Sequence, residues 1–266
     1  MEKSARLLKI KNCDRIHKSM FENRISGIEK MSLLDFPNMV SCILFYNGCR
    51  VCHCPYCYNK GMWNGHGETM DGKKVERFLK SRVGKIDGVV FSGGECTTWG
   101  DDLVNDIKWT RELGYKVKLD TNGTNPSLLN RMLEERLVDY VAMDVKCPKG
   151  KVDLFYANGQ MYDNFLQSLD VLMAYEREFE LRTTVHPDLV DEGDVNEITA
   201  MLERFGYEGK YYLQFFFDDG RTEYLDNSIN REPRLFDVGK LEKRKNISVE
   251  LRNSEGRVVP EVEPRA

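Results

Sequence analysis

Apolar positions along this chain recur with two periods, and the switches between them mark out its elements. Residues 1–24 are charged and mixed, with weak periodicity, and read as an N-terminal extension. From Ile25 the pattern sharpens: ISGIEKMSLLDFP predicts a strand ending at a turn, since Pro37 cannot continue a central ladder. Val40 to Tyr46, VSCILFY, is an apolar run of strand length that leads straight into a cysteine-rich loop. Strands and helices then alternate. Asp71 to Ser81 predicts a helix with Val75, Phe78 and Leu79 on one face, and IDGVVFSGG a buried strand ending in glycines. Asp101 to Leu113 predicts a helix stopped by Gly114, and YKVKLDTNG a strand. Asn125 and Pro126 open a helix as N-cap and first residue, with Leu128, Leu129, Met132, Leu133 and Leu137 as its apolar stripe. VDYVAMDVKCP is the next strand, and Phe165, Leu166, Leu169, Leu172 and Met173 mark another helix. FELRTTVHP is a strand, Asp194 to Phe205 a helix with Asp194 and Glu197 placed like a capping box, and KYYLQFFF the last strand.

Repeated strand–helix units imply a parallel sheet with right-handed crossovers and helices outside. Six such units predict an α/β fold curled into an open or partial (β/α)6 barrel, because a full eight-unit barrel typically takes ~250 residues. The clear alternation spans residues 25–217. Residues 218–266 are charged, carry one strand-like piece, NISVEL, and read as a partly disordered C-terminal extension. The polar signals fall at the C-terminal ends of strands: the cysteines, then SGGE, DTNG and MDVK. In parallel α/β folds that edge is where sites are built, so one rim carries one site.

Composition narrows the class. The chain has 266 residues, 41% hydrophobic and 31% charged, with formal net charge −4, so nucleic acid is not an expected partner. The N-terminus lacks the apolar core of a signal peptide, and no run approaches the roughly 18 apolar residues of a membrane helix. The expected setting is the cytoplasm, where clustered thiols point to metal or redox chemistry more than to disulfides.

The loop NGCRVCHCPYCYN holds Cys49, Cys52, Cys54 and Cys57. One tetrahedral zinc needs two facing knuckles, and only His53 separates the pairs CRVC and CPYC. An iron–sulfur cluster spreads several irons over a cube, so closely spaced cysteines can reach different irons, and three ligands leave one iron open. Both metals stay in view on spacing alone, with the cluster favoured.

The end CPYCYN resembles the loop of radical SAM enzymes, C-x3-C-x2-C with an aromatic residue before the last cysteine; Cys54, Tyr56 and Cys57 match. The usual first cysteine would fall at Arg50, so the spacing is one residue longer than usual if Cys49 serves. The resemblance implies Cys49, Cys54 and Cys57 as ligands of a [4Fe-4S] cluster, with Cys52 in reserve; a set of Cys49, Cys52 and Cys57 is also conceivable. FSGGE resembles the family's glycine–glycine–glutamate segment, which implies Gly93, Gly94 and Glu95 at the amino group of S-adenosylmethionine. Cys96 stands where relatives often have proline and reads as a tolerated swap. SLLDFP, LDTNG, LVDYVAMDVK and RTTVHP resemble segments of glycyl-radical activating enzymes over roughly Ile25 to Phe217, with Asn38 where relatives tend to have glycine. That resemblance implies Asp120, Asn122, Lys146 and Arg182 near bound S-adenosylmethionine. It also implies a possible monovalent cation on Asp120, Thr121 and Asp144. The bare residues allow a simpler reading: Asp120 and Asn122 in an Asx-type turn, Asp144 and Lys146 as a structural pair.

The reaction so implied is reductive cleavage of S-adenosylmethionine to a 5′-deoxyadenosyl radical. That radical takes hydrogen from a glycine of a partner enzyme, first of all anaerobic ribonucleotide reductase, with flavodoxin or ferredoxin as electron donor. Two other readings remain: a small-molecule radical SAM enzyme like 7-carboxy-7-deazaguanine synthase, or a non-catalytic zinc module. Cys42 reads as a buried small hydrophobe, Cys13 and Cys147 as inert, and His53 as a weak ligand candidate. His186 reads as structural, Phe215 to Phe217 as packing, Gln214 as a side chain that could face the site, and Asp218-Asp219 as a solvated turn.

Overall fold

The structure, a computed structural model, describes residues 19–57, 63, 65, 67–175, 178–218 and 229–259. Cys13 and Asp219 lie outside the described residues. Eight strands form one sheet in simple sequence order. The first, β1 (Ile25–Ser32), pairs antiparallel with β2 (Ser41–Tyr46). The strands β3 (Gly88–Gly93), β4 (Lys116–Thr121), β5 (Tyr140–Asp144), β6 (Phe179–Val185), β7 (Gly209–Phe215) and β8 (Ile247–Arg252) follow, each parallel to the one before. Among the described residues no pairing joins β8 to β1, so the barrel is open on that side.

The crossovers are α1 (Gly72–Arg82), α2 (Asp101–Glu112), α3 (Pro126–Glu134), the short α4 (Val152–Phe155) with α5 (Gly159–Met173), and α6 (Glu192–Arg204). Local chemistry starts them where the pattern predicts. Asp71 caps α1 by accepting from the Lys73 amide, and Asn125 caps α3 ahead of Pro126. The last helix differs from expectation. It begins at Glu192, with Asp191 as N-cap and Asp194 as the third residue of a reciprocal capping box, so Asp194 closes the box instead of opening it. An acidic pair three apart occurs at 191/194 as well as at 194/197, and the hydrogen bonds form on the earlier pair.

The sheet also runs past Phe217. The NISVEL piece becomes β8 and covers the β7 edge, which would otherwise present a row of unpaired amides and carbonyls. Alternation along the strands sorts side chains to two faces. Cys42, Leu44, Val89, Phe91, Val117, Leu119, Val141 and Met143 pack with the helices in the main core. On the opposite, concave face, Phe36, Ile43 and Val90 form a smaller apolar cluster. Phe36 comes from the SLLDFP segment, and a Cβ on Gly88 would meet its ring at 2.8 Å. The turn that follows needs a left-handed residue, and Asn38 supplies it at φ 60, which accounts for Asn at a glycine-like position.

Candidate functional site

The rim at the C-terminal strand ends is built from the cysteine loop and three neighbouring turns. Leaving β2, the chain is fixed by Asn47, whose side-chain amide donates to the carbonyls of Gly65 and Gly67 at 3.1 Å each. Gly48 follows at φ +91, and its carbonyl accepts from the Glu95 amide at 2.7 Å. A Cβ on Gly94 would stand 2.1 Å from that carbonyl oxygen, and one on Gly93 2.2 Å from the Tyr46 nitrogen. The two glycines therefore let the end of β3 lie against the backbone of the cysteine loop. The far side of the loop rests on α4: the His53 amide donates to Phe155 O (2.8 Å), Ala157 to Val51 O (3.1 Å), and the Tyr56 ring packs on Phe155 at 5.6 Å.

So held, Cys49, Cys52, Cys54 and Cys57 all line one cleft of about 770 Å³, counting its open mouth. None of the four is in a disulfide; Cys52 is the most enclosed at 1% exposure, and Cys57 is partly exposed. Among the described residues no three His, Cys, Asp or Glu side chains converge as ligands of one metal ion. Closely spaced thiols on one cleft are the donor set that a cluster of several irons takes. The Cys52 thiol, working against burial and helped by Lys146, holds Cys54 below the ordinary thiol range, toward the thiolate that a metal ligand requires.

Gly93, Gly94, Glu95, Asp120, Thr121, Asn122, Asp144, Lys146 and Arg182 line the same cleft, so every residue predicted for the site reaches it. Their partners refine the picture. Arg182 stands between the two aspartates, its Nε donating to Asp144 (2.6 Å) and its terminal nitrogen lying 3.2 Å from Asp120. Lys146 donates to the other Asp144 oxygen at 2.8 Å, and Lys118 lies 3.0 Å from Asp120. Burial opposes charge on both carboxylates, but these cations outweigh it and hold both below the usual carboxylate range, Asp144 well below. Deeper on the same face, Glu180 is gripped by Arg252 through two bonds of 3.0 and 2.7 Å. The result is a row of alternating charges across β4, β5, β6 and β8.

Glu95 lines the cleft and also has a structural task. The side chain is 1% exposed, and Oε1 accepts from the Thr97 amide, the Thr97 hydroxyl and the Thr121 hydroxyl, while Oε2 accepts from the Asn122 amide at 2.7 Å. Its carboxylate clamps the ends of β3 and β4 together. Asn122 forms the expected Asx-type turn, accepting from the Thr124 amide, but Asp120 does not; it pairs across the sheet. Gln214 does not line the cleft; Thr184, on the neighbouring strand, does. Cys96 is buried under the turn, donating toward the Phe91 and Asp120 carbonyls, and Cys42 and Cys147 are buried away from the cleft. His53 faces the Trp63 ring at 5.5 Å, and His186 is buried on the Asn230 carbonyl. Phe215 and Phe216 are packed, Phe217 is half exposed, and Asp218 pairs with Arg231 instead of standing free in solvent. The reading from sequence passed over Ser92, Trp63 and Thr184 in the lining and the α4 support. Ser92 sits inside the SGGE motif but was given no role there; Trp63 and Thr184 carry no motif, and for α4 only the aromatic pair Phe155-Tyr156 just after MDVKCP offered a signal.

No helix of the described residues is long and apolar enough to cross a membrane. Comparison with known proteins adds a family match, two relatives and two solved structures. The radical SAM superfamily pattern matches residues 43–202. A protein of Methanocaldococcus jannaschii named as a glycyl-radical enzyme activating enzyme is 30% identical over 238 residues, 87% of this chain and 97% of its own. The pyruvate formate-lyase-activating enzyme of Clostridium pasteurianum is 25% identical over 245 residues, again 87% and 97%. Among solved structures, anSMEcpe with bound AdoMet and the Kp18Cys peptide aligns at TM-score 0.53 and 19% identity over 71% of this chain. SuiB of Streptococcus suis aligns at 0.54 and 12% over 82%. This chain spans about half the length of each (53% and 52%), and at these identities they speak for the fold alone. With the partial barrel, a cleft lined by four thiols at its rim and a family match over more than half its length, this chain belongs to the radical SAM superfamily.

Proposed function

We propose that this chain activates a glycyl-radical enzyme, with anaerobic ribonucleotide reductase as the first partner to test. The observation that carries the reading is the relative named as a glycyl-radical enzyme activating enzyme, 30% identical over 87% of this chain, combined with four thiols and a charged row on a single rim. Cys49, Cys54 and Cys57 would hold a [4Fe-4S] cluster. When bound, that group supplies the electron that splits the sulfonium of S-adenosylmethionine. The chain's own residues then have separate tasks. Gly93 and Gly94 let the β3 turn approach the loop, and Glu95 keeps the turn rigid. Lys146 and Arg182 offer cations to the carboxylate of S-adenosylmethionine, and Asp120 and Asp144 hold them in place. A monovalent cation on Asp120, Thr121 and Asp144 would have to share those carboxylates with Arg182. The open side between β1 and β8 gives a protein loop a route to the rim, and a flavodoxin or ferredoxin is the expected electron donor, in a cytoplasmic setting.

The test is anaerobic reconstitution with iron and sulfide. S-adenosylmethionine cleavage and electron paramagnetic resonance are then followed with and without the candidate reductase. A glycyl signal on the reductase, dependent on both components, is the expected result. Cleavage of S-adenosylmethionine with no glycyl signal on any glycyl-radical enzyme tried would remove the partner class and return the reading to a small-molecule substrate. Serine replacements at Cys49 and Cys52, made separately, assign the first ligand: the ligand's variant loses iron, the other keeps it.

A further inference from the structure

The four thiols are one more than the three-ligand set proposed above, and one side chain of the rim is aimed at the surplus. Asn122 follows β4 and is 4% exposed. Its backbone amide is fixed by Glu95 Oε2 at 2.7 Å. Its side-chain oxygen accepts twice from Thr124, from the amide at 3.0 Å and the hydroxyl at 2.7 Å. That sets the orientation of the carboxamide, because a flip would turn its NH2 against the Thr124 amide, which can only donate. The NH2 group then points at sulfur: Nδ2 lies 3.3 Å from Cys52 Sγ and 4.0 Å from Cys49 Sγ. Among the described residues these are its hydrogen-bond acceptors, in a place where a buried donor without one is costly.

We propose that Asn122 is the hydrogen-bond donor to the Cys49–Cys52 sulfurs that makes the cysteine-held cluster easier to reduce, with Thr124 as the positioning residue that aims it. A hydrogen bond to a thiolate draws off negative charge. It stabilises the reduced cluster, which carries one more electron, more than the oxidised one, and so raises the reduction potential. The same NH2 faces both sulfurs, but unequally: Cys52 as ligand would receive the 3.3 Å bond and the full shift, Cys49 as ligand only the long 4.0 Å contact and a smaller one. The proposal thereby gives Asn122 a task toward the cluster in addition to lining the cleft.

The proposal rests on the cysteine-held cluster of the preceding section, and the experiment separates the two. Wild type, Asn122→Leu and Thr124→Val are reconstituted anaerobically as full chains, and iron and sulfide are measured for each. The clusters are then titrated against potential by electron paramagnetic resonance, and binding of S-adenosylmethionine is measured on the same samples. The expected result is unchanged iron and sulfide, with the Asn122→Leu midpoint moved negative enough to cut the reduced fraction at a fixed poise about tenfold, or ~59 mV for one electron. Thr124→Val should move the same way by less, and affinity for S-adenosylmethionine should hold. An unmoved midpoint, or an unmoved midpoint with weakened S-adenosylmethionine binding, overturns the proposal. If Asn122→Leu does not fold, Thr124→Val alone decides: a negative shift supports the proposal and no shift overturns it. Wild type that takes up no iron and sulfide overturns the cysteine assignment, and this proposal with it.

Discussion

At the scale of single residues, the motif positions do more structural work than their ligand roles suggest. Gly94 is the sharpest case, since its missing Cβ makes room for the Gly48 carbonyl. We expect Gly94→Ala to cost about 3 kcal/mol or more, because backbone on both sides must move. Iron uptake on reconstitution should fall with it, and urea unfolding read beside iron content checks both; a stable variant that loads normally would refute the packing argument. Glu95 makes a second case. Four donors converge on its carboxylate, so Glu95→Gln turns an NH2 group toward at least one of them, a loss of about 1–3 kcal/mol. If Glu95 acted only on S-adenosylmethionine, that variant would keep its stability and change binding alone. The motifs SGGE and DTNG were legible as site residues because they fall at strand ends. That Glu95 and Asn122 hold each other was not legible, since their bond spans 27 residues of sequence and depends on β3 and β4 lying side by side.

At the scale of elements, α6 shows how a helix terminus fastens a distant segment. Glu192 in its first turn receives both terminal nitrogens of Arg234 (2.8 and 2.6 Å) and the Asp237 amide (2.6 Å). Chiefly through the Arg234 bonds, and against burial, the Glu192 carboxyl is lowered from 4.5 to about 2. A carboxylate depressed in the folded state stabilises it above the unfolded pKa, so this contribution is intact above about 4.5 and lost as pH falls toward about 2. We expect its size to be on the order of 1–2 kcal/mol, since Arg234 is half exposed. Arg234→Gln should flatten the acid limb of the stability curve across that window and speed protease cleavage within residues 229–241. An unchanged acid limb would show that the pair does not tether the segment. The helices themselves were readable from period and caps, but the α6 start was not: Asp194 was read as opening the helix, whereas Asp191 caps it and Asp194 closes the box.

At the scale of the whole molecule, an open barrel must satisfy a concave face lined with charge. Arg252 on β8 balances Glu180 on β6, across β7 from it, with its guanidinium also 3.6 Å from the Tyr212 ring centroid. Removing one partner strands a buried charge. Arg252→Met should therefore destabilise the fold by roughly 2–4 kcal/mol, toward the low side because Arg252 is about one-third exposed. Adding Glu180→Gln should recover part of the loss, and denaturant midpoints of the singles and the double measure the coupling; strictly additive losses would contradict the pairing. The sequence by itself determined the parallel strand–helix order, the rim to which the polar motifs go, and the cysteine loop, because each is written in local period and spacing. It could not determine that β8 completes the sheet, that Arg182 separates Asp120 from Asp144, or that the Asn122 amide aims at Cys52. Those depend on which side chains meet across neighbouring strands, and a side chain's hydrogen-bond partner is settled by what the fold places beside it, not by its neighbours in the chain.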